Sequence, residues 1–182
     1  MLIQERTIKL KDGRTAVLRS PRESDAKMLL DMLRLTAEET DFLIRCPEEC
    51  NLTEEQEKQW IRSVRESGGC CTIVCEVEGQ LAGNCEVRFH DRIKLSHRGT
   101  IGIALVKDYW GLGIGTAMFE QMIRIAKERE GILQLELEFV EGNTRALHLY
   151  EKMGFSVVGC KPNAIRLKDG KLLKEYFMVR EL

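Results

Sequence analysis

Three glycines at alternate positions, Gly111, Gly113 and Gly115, separate a strand-like segment from a helix-like segment. The strand-like residues are Thr100 to Val106, and the segment after the last glycine repeats apolar residues at helical spacing. Glycine allows a sharp turn without a Cβ in the way, and a helix begins with free N–H groups and a partial positive charge. The pattern therefore predicts a strand–turn–helix unit whose backbone closes around an anion such as pyrophosphate.

Three other kinds of turn also use glycines. A tight connection between a strand and a helix, with no ligand, would need similar glycines. A dinucleotide-binding loop has the spacing Gly-x-Gly-x-x-Gly and an acidic residue about 20 positions later, which differs from this pattern. A phosphate-binding P-loop needs Gly-Lys-Ser/Thr, and Gly115-Thr116 lacks the lysine.

The rest of the chain alternates strand and helix patterns, which predicts a mixed α/β layer fold. Leu133 to Phe139 is the clearest strand, because Leu133, Leu135, Leu137 and Phe139 alternate with polar residues. The other predicted strands are 15–19, 71–77, 81–89 and 155–160, with a closing hairpin over 165–179. The predicted helices begin near Ser24 or Asp25, at the capping box Thr53-Glu-Glu-Gln56, after Gly115, and at Asn143 or Thr144.

Composition and charge bound the function classes. A length of 182 residues predicts one domain over 1–182, and 43% hydrophobic with 31% charged residues is typical of a globular protein. The net charge of −1 and the scattered lysines and arginines argue against nucleic-acid binding. No apolar run reaches the roughly 18 residues that a membrane span needs, and Met1 to Lys11 does not resemble a secretion signal. These features predict a cytoplasmic protein without a membrane partner.

The seven cysteines are interpreted as reduced structural thiols. Cys46 and Cys50 resemble half of a zinc site, but no second ligand pair stands at matching spacing, so no metal is expected. The cysteines predicted to be small core residues are Cys70, Cys71, Cys75 and Cys85.

Two segments together resemble the GNAT superfamily of acetyltransferases. Trp110-Gly-Leu-Gly-Ile-Gly-Thr-Ala117 is similar to its acyl-CoA pyrophosphate loop, Gln/Arg-x-x-Gly-x-Gly/Ala. Asn143-Thr-Arg-Ala-Leu-His-Leu-Tyr-Glu-Lys-Met-Gly-Phe155 matches its signature Asn-x-x-Ala-x-x-Leu-Tyr-x-x-x-Gly-Phe at every fixed position. The segment from Arg166 to Met178 resembles the branch that acetylates ribosomal-protein N-termini, amino acids and related amines. Trp110 departs from the pattern, since the family has Gln or Arg there and a side-chain contact to phosphate is lost.

The resemblance implies a fold and a reaction. The fold would be a mostly antiparallel central sheet of about seven strands flanked by about four helices. The reaction would be direct transfer of an acetyl group from acetyl-CoA to a primary amine, which belongs to a small molecule, an amino acid or a protein N-terminus. The pantetheine arm would bind the strand backbone in a gap between Thr100–Val106 and Leu133–Phe139. The residues expected to contact acetyl-CoA are Ile103, Ala104, Leu105, Gly111, Leu112, Gly113, Ile114, Gly115, Thr116, Asn143 and Tyr150.

The resemblance also implies catalytic roles. Glu138 matches the general base of the ribosomal-protein acetyltransferases, and Tyr150 matches the general acid that protonates the CoA sulfur. Both residues, and the expected CoA contact Asn143, have a structural alternative. Glu138 would lie on a solvated sheet face, Tyr150 would only pack in the core, and Asn143 would only cap a helix. His90 and His97, which flank a loop expected near the substrate entrance, are weaker candidates for the base. A thiol–acyl intermediate on Cys160 is not favoured.

The sequence is also compatible with two other functions. One is a non-catalytic acyl-CoA-binding sensor of the same fold, which would keep the glycine turn and lose the acid and base. The other is an interaction module unrelated to CoA. The sequence does not identify the acceptor amine, whose site is expected between the first two helices and the loop 91–97, and it leaves open whether the chain forms a homodimer.

Overall fold

An eight-stranded sheet carries two α-helices on each of its faces. The protein is described by a computed structural model that covers residues 1–182. The strands are β1 (Arg6–Lys9), β2 (Thr15–Arg19), β3 (Cys70–Val77), β4 (Gln80–Phe89), β5 (Arg98–Leu105), β6 (Gln134–Val140), β7 (Ser156–Arg166) and β8 (Leu172–Glu181). The helices are α1 (Ala26–Glu38), α2 (Glu54–Glu66), α3 (Ile114–Glu128) and α4 (Thr144–Lys152).

The sheet has the order β1-β2-β3-β4-β5-β6-β8-β7, and every neighbouring pair is antiparallel except β5 and β6. These two strands run parallel and pair only from Arg98–Gln134 to Thr100–Glu136. Beyond that pair they part, while β5 stays bonded to β4 and β6 stays bonded to β8. The predicted gap between the two strands is confirmed.

The two faces of the sheet bury different helices. α3 and α4 cover the face that carries Leu135, Leu137 and Phe139 of β6, all of them less than 10% exposed. α1 and α2 cover the opposite face over β3 and β4. Leu133 was predicted to point with the β6 residues, but it precedes the strand and is 64% exposed.

The predicted α/β fold is confirmed, and the structure corrects some of its elements. β1 was not predicted, because it has only four residues of alternating exposure and forms the edge of the sheet. β7 is one strand of 11 residues instead of two pieces, and bulges absorb its irregular pairing with β8. The capping box at Thr53 and Gln56 is confirmed. Asp25 precedes α1 but makes no side-chain cap bond to it.

The cysteines expected in the core lie there. Cys70, Cys71, Cys75 and Cys85 are buried in β3 and β4, and burial raises the pKa of the Cys71 thiol to about 11. All seven cysteines are free thiols. None of the helices combines the length and the apolar surface that crossing a membrane requires.

A buried ion pair joins β2 to the start of α1. The Arg19 guanidinium donates two hydrogen bonds, of 2.6 and 2.9 Å, to the carboxylate of Asp25, and both side chains are 4% exposed. Burial alone would raise the pKa of Asp25, but the hydrogen bonds from Arg19 and from the Arg22 backbone hold that pKa below its ordinary value. Arg19 also donates a 2.9 Å hydrogen bond to Glu76, so the ion pair is part of a network that joins β2, β3 and the start of α1.

We expect Asp25→Ala to lower the free energy of unfolding by about 2 kcal/mol, because the buried Arg19 guanidinium loses two charge-assisted hydrogen bonds and keeps only Glu76 as a carboxylate partner. Urea denaturation monitored by circular dichroism measures this loss. Since the folded pKa of Asp25 is lowered, its contribution is present above the ordinary carboxyl pKa and is lost as the pH falls through the folded value.

Asp31→Ala is the matched control, because Asp31 forms an exposed pair with Lys27 on the same helix. Exposed pairs contribute about 0–1 kcal/mol. Equal losses for the two variants would contradict a special role for the buried pair.

Candidate active site

A cleft of about 1330 Å³ opens where β5 and β6 part. Its walls come from both faces of the sheet: the glycine turn, α3 and α4 on one side, and the connection between α1 and α2 on the other. Because the gap leaves no strand between the two sides, a ligand on one face can reach a group on the other. Most of the residues predicted for the site line this one cleft.

In the glycine turn, six consecutive backbone N–H groups, from Gly111 to Thr116, have no acceptor in the protein. Gly111 and Gly113 have φ of +80° and +98°, a conformation that side chains rarely adopt. Gly115 has an ordinary helical conformation, and a Cβ there would lie 2.9 Å from Leu149 Cδ2 of α4, so that the end of this side chain would have to shift. The free N–H groups and the start of α3 form a cradle for an anion.

The exposed edge of β5 presents free backbone groups to the gap. Val106 N–H donates to Ala82 O, and His90 N–H donates to Arg98 O, so the even-numbered residues of β5 direct their backbone groups toward β4. Ile103 and Leu105 therefore direct theirs toward the gap. Ala104 lines the cleft, but its backbone faces Asn84 of β4. The edge at Ile103 and Leu105 can bind an extended chain as an added strand would.

Trp110 closes the end of this edge. Its indole N–H donates a 2.8 Å hydrogen bond to the Leu105 carbonyl, and the Arg145 guanidinium lies 5.0 Å from the centre of its ring. Trp110, Leu105 and Arg145 all line the cleft. No sequence pattern indicates that Trp110 and Arg145 are in contact, since α3 and β6 lie between them in the chain.

Tyr150 lies in the aromatic wall of the cleft. It is 7% exposed and its ring lies 5.3 Å from the ring of Phe119 and 6.0 Å from that of Phe139, measured between centroids. Burial raises the pKa of Tyr150 to about 12, so the phenol keeps its proton at neutral pH. Its hydroxyl has no acceptor in the protein and is available to a ligand in the cleft.

Asn143 caps α4, because its side-chain oxygen accepts a 3.2 Å hydrogen bond from the Ala146 backbone N–H. Its amide nitrogen makes no bond in the protein, and the residue lines the cleft. The helix cap and a ligand contact are therefore compatible.

Glu138 lines the cleft from the face opposite to Leu137 and Phe139. Loss of solvent around its carboxyl raises the pKa of Glu138, and the negative charge of Glu175 on β8 raises it further, whereas Lys161 on β7 opposes the shift. Glu175 is 8% exposed and lies diagonally across the β6–β8 pair. A carboxylate with a raised pKa is a stronger base, which suits the removal of a proton from an ammonium group.

Several cleft residues were missed from the sequence. Asn84 and Glu86 of β4 share the face of Glu138, and the Asn84 side-chain oxygen is buried without a donor. Their alternation with buried residues in β4 was a signal that could have pointed to them. The segment from Thr40 to Arg45, between α1 and α2, lines the same side, and it has no sequence pattern that indicates such a role.

Other sequence predictions do not fit this geometry. His90 and His97 lie at the end of the sheet where β5 and β6 are still paired, and neither they nor the loop 91–97 line the cleft. The side chains of Leu112 and Ile114 also lie outside it, because Ile114 is in the core and Leu112 is partly buried against that core. These two residues can contribute only their backbone N–H groups.

The two sides of the cleft carry opposite charges. Lys9, Lys11, Arg145 and Lys152 line it around the glycine turn and α4, where the carboxylate of Glu120 is paired with Arg6. Glu86 and Glu138 line it on the opposite face, where Arg45 is the cationic residue. The arrangement suits an anionic ligand on the first side and a cationic group on the second.

One protein-family model matches the part of the chain that contains most of the cleft residues. The family model described as "Acetyltransferase (GNAT) family" matches residues 33–155. The L-amino acid N-acetyltransferase AaaT of Escherichia coli (strain K12) is 23% identical over 121 residues, which are 66% of this chain and 74% of that protein.

Solved structures share the fold over almost the whole chain. An acetyltransferase of GNAT family from Streptococcus pneumoniae has a TM-score of 0.86 at 26% identity, and the match covers 92% of this chain and 99% of that one. A ribosomal-protein-alanine N-acetyltransferase from Brucella melitensis has a TM-score of 0.78 at 25% identity, covering 91% and 99%.

We expect Glu175→Gln to lower the pKa of Glu138, because it removes the neighbouring negative charge that raises it. A carbon-13 NMR titration of the side-chain carboxyls, assigned with Glu138→Gln, measures the change. Glu181→Gln removes the same charge from an exposed position of β8 and is the control. A Glu138 titration that is the same in the wild type and in Glu175→Gln would show that the two carboxyls are not coupled.

Proposed function

Because the chain belongs to the acetyltransferase (GNAT) family, we propose that this cleft binds acetyl-CoA at the glycine turn and transfers its acetyl group to a primary amine held near Glu138. The observation that carries the proposal is the set of six unpaired N–H groups beside the gap between β5 and β6. The activity of the family is acetyl transfer from acetyl-CoA, and the chain is an N-acetyltransferase.

The donor side fits acetyl-CoA in its shape and charge. The N–H groups from Gly111 to Thr116 would bind the pyrophosphate, and the positive end of α3 would stabilise it. The pantetheine arm would lie along Ile103 and Leu105 in the gap. Asn143 would bind the same arm through its free amide nitrogen, which brings the thioester to Tyr150.

The acceptor side fits an ammonium group. Glu86 and Glu138 supply negative charge, and the Asn84 side-chain oxygen supplies an acceptor that has no donor in the protein. The amine would belong to a small molecule, an amino acid or a protein N-terminus. The segment from Thr40 to Arg45 would contact the rest of the acceptor molecule.

In the proposed mechanism, Glu138 first removes a proton from the bound ammonium group. A free α-amino group has a pKa of about 8, so most of it is protonated at neutral pH. The neutral amine then attacks the thioester carbonyl, a C–N bond forms, and the C–S bond breaks.

Tyr150 supplies the proton that the leaving sulfur needs. Its raised pKa keeps the phenol protonated, and the hydroxyl donates to the sulfur as negative charge develops there. The second proton of the attacking nitrogen returns to the tyrosine oxygen. The products are an amide and CoA with its thiol protonated, and Glu138 releases its proton to water.

The alternative of a non-catalytic acyl-CoA sensor is not favoured. A sensor would need neither an acid nor a base, whereas Tyr150 and Glu138 line the same cleft as the glycine turn. An interaction module unrelated to CoA does not account for the family match. We also propose a cytoplasmic location, in which the seven free cysteines stay reduced.

We expect Gly113→Asp to abolish measurable binding of CoA. The residue has a φ of +98°, and the substitution adds strain and a negative charge beside the expected pyrophosphate. Isothermal titration calorimetry with CoA measures the affinity, and thermal unfolding shows how much of the variant is folded.

Gly131→Asp is the matched control, because Gly131 has a φ of +82° and lies outside the cleft. This variant should be strained to a similar extent and should bind CoA like the wild type. If Gly113→Asp binds CoA as tightly as the wild type, the pyrophosphate does not bind at the glycine turn.

We expect Tyr150→Phe to lower kcat by roughly 100-fold or more, with little change in CoA affinity, because only the hydroxyl is removed. Rapid-quench measurement of a single turnover gives the rate of the chemical step. Tyr176→Phe is a suitable control, since this ring stacks on Phe139 and Tyr176 does not line the cleft. A wild-type single-turnover rate in Tyr150→Phe would rule out the acid role.

A further inference from the structure

Arg145 occupies an unusual position for an arginine. It is the second residue of α4, where the positive end of the helix dipole disfavours a cation. The first turn of α4 has no acidic residue, and Arg145 forms no ion pair and no hydrogen bond through its side chain. Local helix stability therefore does not account for its placement.

Trp110 holds the guanidinium over the cleft. The Arg145 Cζ lies 5.0 Å from the centre of the indole ring, within the range of a cation–π contact. The ring itself is fixed, because its N–H donates to the Leu105 carbonyl at the end of β5. Stacking leaves the N–H donors at the guanidinium edge free for another partner.

The position of the pair indicates what that partner is. Trp110 directly precedes the six unpaired N–H groups of the glycine turn, and both residues of the pair line the same cleft. An arginine that has no anion in the protein, next to a backbone anion cradle, can donate to two oxygens of a phosphate with its planar fork of N–H groups.

We propose that Arg145, held in place by stacking on Trp110, binds a phosphate group of the CoA nucleotide and supplies the side-chain contact that position 110 itself does not make. This inference rests on the proposed function. Trp110 is then a positioning residue that acts through Arg145, and the two should behave as one unit.

The test is a double-mutant cycle on ligand affinity. We expect Arg145→Gln to weaken CoA binding by roughly 10- to 100-fold, the usual effect of losing a charge-assisted contact. Trp110→Leu should weaken it as well, and the double variant should be no weaker than the worse single variant. Arg145→Lys keeps the charge but not the flat fork, and it should restore only part of the affinity.

Three ligands separate the phosphates. CoA carries the pyrophosphate and the 3′-phosphate, dephospho-CoA carries the pyrophosphate alone, and pantetheine carries neither. Weaker binding of CoA and dephospho-CoA places Arg145 on the pyrophosphate, and weaker binding of CoA alone places it on the 3′-phosphate. Either result supports the proposal, provided that acetylpantetheine turns over at the same rate in the wild type and in Arg145→Gln.

Two results overturn it: unchanged CoA affinity in Arg145→Gln, or an equal loss with acetylpantetheine, which would indicate a general distortion of the cleft. Strictly additive effects of Trp110→Leu and Arg145→Gln would remove the positioning role. Arg166→Gln on the exposed strand β7 is the control for loss of one charge. If the wild type itself did not bind CoA, the proposed function would fail, which is distinct from failure at Arg145 alone.

Discussion

The parting of β5 and β6 after Thr100 and Glu136 is the constraint on which the site depends. Breaking a sheet in its middle exposes backbone groups, which are costly when buried without a partner. Here the outer edges of both strands stay bonded, β5 to β4 as far as Leu105 and β6 to β8 as far as Val140. Only the inner edges are free, and Trp110 occupies one of their carbonyls. The backbone groups left without a partner are therefore limited to the few that a ligand would bind.

The gap also brings together two sides of the cleft that differ in charge. A continuous sheet separates its two faces by the backbone, so groups on opposite faces do not meet. Where the strands part, the cations around the glycine turn and α4 face one opening, and Glu86 and Glu138 face the other. An anionic donor and a cationic acceptor would therefore approach from different sides and meet near Tyr150. Opposite charges on the two sides would also disfavour exchange of the substrates.

Local patterns were sufficient to predict the helices and strands that form the proposed donor side. The glycines, the cap at Asn143 and the alternation in β6 are short-range signals, and the structure places those elements where the patterns indicated. Even so, the close approach of Leu149 to Gly115 depends on the packing of α4 against α3, which the sequence does not show. The contact between Trp110 and Arg145 is equally long-range. The sequence alone therefore does not show that Arg145 lies beside position 110, where the chain departs from the family pattern.

The proposed acceptor side could not be predicted in this way, because its residues come from separate parts of the chain. Asn84 and Glu86 lie on β4, Glu138 on β6, Glu175 on β8, and a connection without a pattern covers them. His90 and His97 were plausible because histidine often acts as a base, but residue type does not show at which end of a strand a residue meets the gap. The register decides this: β5 begins paired with β6 beside His97, and the cleft opens only toward the other end of the strand. If the amine binds as proposed, acceptor specificity depends on the sheet register and on the connection between α1 and α2, whereas acetyl-CoA binding depends on the glycine turn and the gap.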